Sequence, residues 1–367
     1  MVAVEPVTRR SDASHSFLDL HYGVRMTHTR ASLLALALLA LAITGCDRLI
    51  ERQVEEGIRR DTGLLDSPDM TVVLCGTGSP LADPQRAGAC TAVIAGGEVV
   101  MVDSGPGSWE TLDLTKIPTG KLSAVLLTHF HSDHIGDLGE AMTQSWIAGR
   151  DKPLDVYGPV GTKQVVDGFD AAYAQDATYR TAHHDAQHMP PAAAPMVAHE
   201  IALGDGPTAD AVVFDRNGLK VTMFRVQHEP VSPAVGYRFD YKGNVVVVSG
   251  DTAKSESVVV HAKDADLLIH EALNRDMMGR IAGIVSTHGN PRIGKMANDT
   301  LTYHTSPVEA AEVARDAGAK KLVLTHMVPP PRNFLVRRMF MSGTDGIFDG
   351  EIVVGEDCQR FTLPPKG

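Results

Sequence analysis

The densest chemistry in the chain lies in seven residues, Thr128-His129-Phe130-His131-Ser132-Asp133-His134. In extended backbone, residues two apart project the same way, so His129 and His131 can hold one cation between them. A turn into a following helix swings Asp133 and His134 toward a second position. Nitrogen and oxygen donors without thiolate suit Zn²⁺, and Mn²⁺ or Fe are also compatible. Further candidates stand singly: His228 after the apolar run 221–226, Asp251 after 245–250, and His326 after 321–325. A lone histidine after a strand is ordinarily a satisfied polar residue. Three such residues, each following an apolar strand, point to a shared purpose. Water held by such an ion loses its proton near neutral pH and can attack a phosphorus, sulfur or carbonyl centre.

These residues work together only if several strands end side by side. From Met70 the texture is one of short apolar runs closed by Gly, Asp or another polar residue. Runs 71–75, 99–102 and 124–127 read as buried strands, with Asp103 directly after the second. Residues 133–149 read as a helix, followed by a strand at 154–157 and a helical stretch near 161–175. Residues 176–210 hold His183, His184, His188 and His199 among Pro190, Pro191 and Pro195. Without regular ligand spacing they read as a long solvated loop rather than a metal site. Strands resume at 220–226, 236–239, 244–249 and 267–270, and a helix at 307–317 leads to a last core strand at 321–325. No repeat is visible. Alternation of this kind predicts an α/β architecture, sheets covered by helices.

The chain has 367 residues, 43% hydrophobic, and a formal net charge of -11. With no Lys/Arg run to concentrate positive charge, a long nucleic acid is an unfavourable partner. A small anionic ester is compatible, because bound cations dominate the field of such a site. At the amino end Arg25, His28 and Arg30 precede the apolar run 31–43 and then Thr44-Gly45-Cys46. The run is short for a bilayer span, and its charged, apolar, small layout is that of a secretory signal. Residues 41–46 resemble the lipobox of bacterial lipoproteins. That resemblance implies a start at Met26 with 1–25 as an extension, a signal peptide over 26–45, and membrane attachment through lipidated Cys46. Asp47 then implies retention at the periplasmic face of the inner membrane; an uncleaved anchor helix is the competing reading. Residues 46–68 read as a linker and 69–367 as the domain. Cys75 and Cys90 can form a disulfide in an exported chain or serve as small buried residues. Neither they nor Cys358 have thiolate metal spacing.

At His129–His134 the chain resembles the metallo-β-lactamase superfamily, whose signature is His-x-His-x-Asp-His. The resemblance implies a four-layer αββα sandwich and two metal ions per chain, Zn²⁺ by expectation. One ion would be held by His129, His131 and His228 and the other by Asp133, His134 and His326, with Asp251 bridging them. Within the superfamily, Leu74-Cys75-Gly76-Thr77-Gly78-Ser79-Pro80, Asp266-Leu267-Leu268-Ile269-His270-Glu271-Ala272 and Tyr303-His304-Thr305-Ser306 resemble the ribonuclease Z and arylsulfatase-like branch. That likeness implies attack by a metal-bridging hydroxide, with Asp133 counted among the catalytic groups. His304 would protonate the leaving oxygen, and Glu271 would orient it. Asp103 is expected to brace the site by hydrogen bonding. The diiron oxygen-reducing relatives place Glu where this chain has His131, which sets a redox role aside. The chain departs from ribonuclease Z in lacking a Gly/Pro-rich basic insertion, and Met327-Val328-Pro329-Pro330-Pro331 follows His326. The expected activity is therefore hydrolysis of small phosphodiesters or sulfate esters. Lactone or lactam hydrolysis, ribonuclease Z-like cleavage at tRNA 3′ ends, and a non-catalytic metal-binding lipoprotein are the alternatives. A homodimer is a candidate assembly.

Overall fold

The computed structural model describes residues 47–366. The expected signal segment and Cys46 lie outside the described residues. Among the described residues, 47–59 form one unit, helical over 47–58, and 60–366 form the other. Among the described residues, no helix is long and apolar enough to cross a membrane.

The larger unit contains two seven-stranded sheets. The first holds β1 (Met70–Gly76), β2 (Cys90–Ala95), β3 (Glu98–Val102), β4 (Leu122–Leu126), β5 (Leu154–Pro159) and β6 (Met196–Ile201). The second holds β7 (Asp210–Arg216), β8 (Leu219–Arg225), β9 (Val235–Tyr241), β10 (Asn244–Val248), β11 (Leu267–Leu273), β12 (Lys321–Val328) and β13 (Glu351–Val354). A last strand, β14 (Arg360–Leu363), returns to pair with β1 in the first sheet. Each sheet begins as an antiparallel meander and continues in parallel: β3 to β6 in one, β10 to β13 in the other. The parallel strands supply a row of carboxyl ends, where ligands bind in open α/β sheets.

The core follows from strands that are apolar on both faces. Val72, Leu74, Val100 and Leu126 pack between the sheets against Val221, Tyr237, Val246, Ile269 and Val323. Their neighbours Val73, Met101 and Val125 point the other way, onto Trp109, Leu112, Leu138 and Met142. On the far side Val247, Leu268 and Leu322 meet Ala310, Ala311 and Ala314 of the helix Pro307–Asp316. The result is the expected sandwich of helix, sheet, sheet and helix. Cys75 and Cys90 join as a disulfide between β1 and β2, closing the alternative that sequence left open.

Residues 176–210 differ from the expected loop. The helix that begins at Thr162 runs on to His184, β6 also falls in that stretch, and β7 begins at its last residue, Asp210. The extension past 175 escaped detection because its fully buried residues, Thr162 and Val166, and the half-buried Val165, Phe169 and Tyr173 packed on the core all lie in the first half. Past Tyr173 the apolar stripe ends, and the helix is supported by pairs four apart, Lys163–Asp167 and Asp176–Arg180. The expected helix at 133–149 is broken into Ser132–Ile135 and Leu138–Ile147. Residues 274–306, unassigned from sequence, form a hairpin of two helices, Arg275–Thr287 and Pro291–Asp299, before the turn that carries His304.

Candidate metal centre

The His129–His134 segment leaves the carboxyl end of β4 and enters the short helix Ser132–Ile135. Asp103, at the end of β3 with φ 59°, ties this segment down. One of its oxygens accepts the Thr128 backbone N–H at 2.8 Å; the other accepts the Thr128 hydroxyl at 2.8 Å and lies 2.8 Å from His134 Nδ1. With Nδ1 committed to Asp103, His134 presents Nε2 to the site. His228, beyond β8, is oriented the same way: its Nδ1 is 3.1 Å from the Tyr303 carbonyl, leaving Nε2 free. Asp251 follows β10 by way of Gly250, whose φ of 62° and contact with the Val235 carbonyl demand glycine.

His326 arrives by a bulge rather than a strand end. Thr325 pairs with Glu271 and Met327 with Ala272, so His326 is an extra residue in β12, with φ 45°. A bulge of this kind re-aims one side chain without ending the strand. Sequence placed His326 just after a strand ending at Thr325, whereas β12 continues through it to Val328.

These elements converge. His129, His131, His228 and Asp251 offer ligand atoms within 4.8 Å of one another, and Asp133, His134 and His326 form a second such group. Asp251 Oδ2 lies between them, 3.3 Å from His134 Nε2, 3.4 Å from His326 Nε2, and 3.9 Å from both His129 Nε2 and His228 Nε2. All are buried except His131, which is exposed at the mouth. The Nε2 atoms of His134 and His228 have no hydrogen-bond partner although buried. Unsatisfied nitrogens around one buried carboxylate are expensive unless something binds there, and the donor set fits borderline dications such as zinc. Burial pushes His129 well below the ordinary imidazole range, toward the neutral form that ligation needs. Asp251 is held well below the carboxylate range by His326 and His134, against the effect of its burial.

His304 sits beside this cluster and is organised differently. Its Nδ1 lies 2.8 Å from Glu271 Oε1, an oxygen that also accepts the backbone N–H of Thr252 and of Thr305. Burial alone would lower the His304 pKa, but the Glu271 carboxylate raises it to about 9. An imidazolium carries a proton to give and has no lone pair for a metal. His304, Asp251 and His326 nevertheless offer atoms within 4.8 Å of one another, so that proton is held against the cluster.

His183, His184, His188 and His199 stand apart from this centre. His183 and His184 end an exposed helix, His188 pairs with Asp185, and His199 pairs with Asp155 on the neighbouring strand. Sequence reasoning missed the Tyr303 carbonyl as the group that orients His228; a backbone acceptor leaves no trace in residue type.

The sequence pattern described as the beta-lactamase superfamily domain matches residues 99–327, which span every residue of the cluster. The chain belongs to the metallo-β-lactamase superfamily. It is a metal-dependent hydrolase of that superfamily, and relatives named ribonuclease Z match it over most of their length. A ribonuclease Z of Mycobacterium bovis is 36% identical over 303 residues, covering 81% of this chain and 99% of that protein. A ribonuclease Z of Mycolicibacterium paratuberculosis is 39% identical over 298 residues, covering 80% and 98%. Among solved structures, the metallo-beta-lactamase fold protein YhfI from Bacillus subtilis superposes with a TM-score of 0.56 at 21% identity, covering 80% of this chain and 99% of that one. Human tRNase Z, short form, gives 0.55 at 24% identity, covering 80% and 99%. At these identities the two structures establish the fold alone.

Proposed function

We propose that this chain hydrolyses phosphodiester bonds with two metal ions, in the manner of ribonuclease Z, and that His304 is its general acid. The observation that carries the reading is the His304–Glu271 pair, with a 2.8 Å contact and a His304 pKa of about 9, set against a seven-residue ligand cluster buried except at His131. His129, His131 and His228 would hold one ion, Asp133, His134 and His326 the other, with Asp251 shared. Ions bound there would supply an activated water and offset negative charge growing on the substrate. The chain's own residues do the rest. Asp103 and the Tyr303 carbonyl fix which nitrogens of His134 and His228 face the site. Glu271 keeps His304 protonated at neutral pH and aims it, so that the leaving oxygen receives a proton as its bond to phosphorus breaks.

The name ribonuclease Z of the relatives supports trying a ribonuclease activity before sulfate-ester hydrolysis. Small phosphodiesters are the second substrate class, favoured by the net charge of -11 and the lack of a basic run in the sequence. The zinc-loaded protein should be assayed on a 3′-extended tRNA precursor, a p-nitrophenyl phosphodiester, an aryl sulfate and a lactone. Turnover of a phosphodiester well above the sulfate and lactone is expected; the reverse order would refute the reading. In the same assay His304→Ala should keep its metals and lose about 10²–10⁴-fold with an alkoxide leaving group. With p-nitrophenolate, which departs without a proton, the loss should be far smaller. Equal losses would pass the acid role to another residue.

A further inference from the structure

The segment that carries His304 is not part of a strand or helix. It is the turn 303–306, which runs from the single-turn helix Thr300–Thr302 after the helical hairpin to the helix Pro307–Asp316. Turns are mobile unless their backbone groups are tied down, and a proton donor needs placement to a fraction of an ångström. From inside, the turn is held by Glu271, which accepts from His304 and Thr305, and by the Thr305 hydroxyl donating to the Thr252 carbonyl at 2.6 Å. From outside, a single side chain spans it. Arg275 Nε donates to the Leu301 carbonyl at 2.9 Å, and its Nη2 donates to the His304 carbonyl at 2.8 Å. Its Nη1 meets Glu309 Oε2 at 2.6 Å. Glu309 is itself the residue that caps the next helix, accepting the Ser306 N–H at 2.9 Å while the Ser306 hydroxyl accepts the Glu309 N–H at 3.2 Å.

We propose that Arg275 is a positioning residue for the reaction: its guanidinium bridges the Leu301 and His304 carbonyls, clamps the 303–306 turn and so holds His304 in place to protonate the leaving group. The inference rests on the reading of His304 as general acid. A planar fork with fixed donors can bridge two carbonyls and a carboxylate at once, which a lysine ammonium cannot do with the same geometry. Arg275 touches no member of the metal cluster through any of these bonds, so its effect reaches the chemistry through the turn. The same turn carries the Tyr303 carbonyl, 3.1 Å from His228 Nδ1, so metal content is measured alongside rate in the test. Nothing in the residue pattern announces this role, because Arg275 opens a helix that lies between two motifs.

The test compares Arg275→Ala, Arg275→Lys and His304→Ala as zinc-saturated full-length proteins with measured metal content. Two phosphodiesters are used, one with an alkoxide and one with a p-nitrophenolate leaving group. Misplacing a catalytic group by about 1 Å can lose about 10²-fold. Arg275→Ala is therefore expected to bind two metals and to lose about 10–100-fold in kcat on the alkoxide substrate, with less than about 3-fold on the p-nitrophenyl one. Arg275→Lys should fall between Arg275→Ala and the native protein. Independently of turnover, the downfield imidazole N–H proton of His304, assigned by its loss in His304→Ala, should broaden or shift in both Arg275 variants. Equal losses on the two substrates with an unchanged His304 resonance would reduce Arg275 to a structural part and overturn the inference. Should Arg275→Ala fail to fold, native behaviour of Arg275→Lys in rates and resonance would overturn it as well. A selective loss in His304→Ala with none in the Arg275 variants removes the clamp alone; equal losses in His304→Ala remove the acid assignment and the clamp with it.

Discussion

Replacing Glu271 by Gln isolates the charge on which His304 depends. In the native site Glu271 Oε1 is 2.8 Å from His304 Nδ1, and both side chains are buried. Burial by itself disfavours the imidazolium, yet Glu271 raises the His304 pKa from 6.5 to about 9. The difference, about 2.5 units, corresponds to about 3.4 kcal/mol at about 1.36 kcal/mol per unit. The folded-state pKa lies above the unfolded one, so this stabilisation is fully present below pH 6.5 and is lost as pH rises through about 9. Glutamine keeps the shape and removes the charge. In metal-free protein, the unfolding free energy of the native chain minus that of Glu271→Gln should therefore be larger at about pH 6 than at about pH 9.5, by about 3 kcal/mol. Any constant offset from removing a buried carboxylate cancels in that comparison. Urea unfolding followed by circular dichroism across the range measures it, with the two proteins treated identically. In the metal-loaded enzyme the same substitution should move the basic limb of kcat/KM to lower pH. A free-energy difference that stays constant with pH would show that Glu271 does not hold the proton on His304, and the acid assignment would lose its physical basis.

Asp251→Ala should lose one or both metals on purification and more than about 100-fold in turnover. Removal of partners that merely support a ligand already amounts to about 10–100-fold, and Asp251 Oδ2 faces both groups of ligands. Metal analysis of the purified variant checks this, and two retained ions with full activity would rule out a shared carboxylate. Cys46→Ser should move the protein from the membrane fraction to a soluble or unprocessed form, because several acyl chains on one terminus hold a membrane firmly where one does so only marginally. Native protein recovered from the cytoplasm with residues 26–45 attached would defeat the lipoprotein proposal and strengthen the case for an RNA substrate.

The parts of the fold that sequence alone determines are those written in local periodicity. Apolar runs such as 99–102, 124–127 and 245–248 read as buried strands because both their faces meet packed layers, and polar residues directly after them mark strand ends. The His129–His134 motif was legible for the same reason: its donors are neighbours in the chain, so spacing alone implies a shared ion. The edge strands β6 and β7 were not legible. Each has solvent beside it and carries mostly exposed or half-buried residues, so the alternation that marks a strand is diluted. The helix Thr162–His184 was only half seen, since its apolar residues Val165, Val166, Phe169 and Tyr173 lie in the first half and the alanine-rich, charged second half has no stripe to read.

For the site, sequence named the ligand candidates and His304 but could not say how the isolated ones are aimed. That depended on contacts between residues far apart in the chain. His326 faces the cluster because β12 bulges against β11 at Glu271, and the bulge exists only once the two strands are paired. His228 presents Nε2 because a carbonyl 75 residues away takes its Nδ1. The pKa of His304 is raised because Glu271, on a different element, lies against it in a place shielded from water. Residue type and spacing determine which groups can ligate or donate. Which nitrogen faces the site, and whether it carries a proton, is decided by partners that only the folded chain brings within about 3 Å.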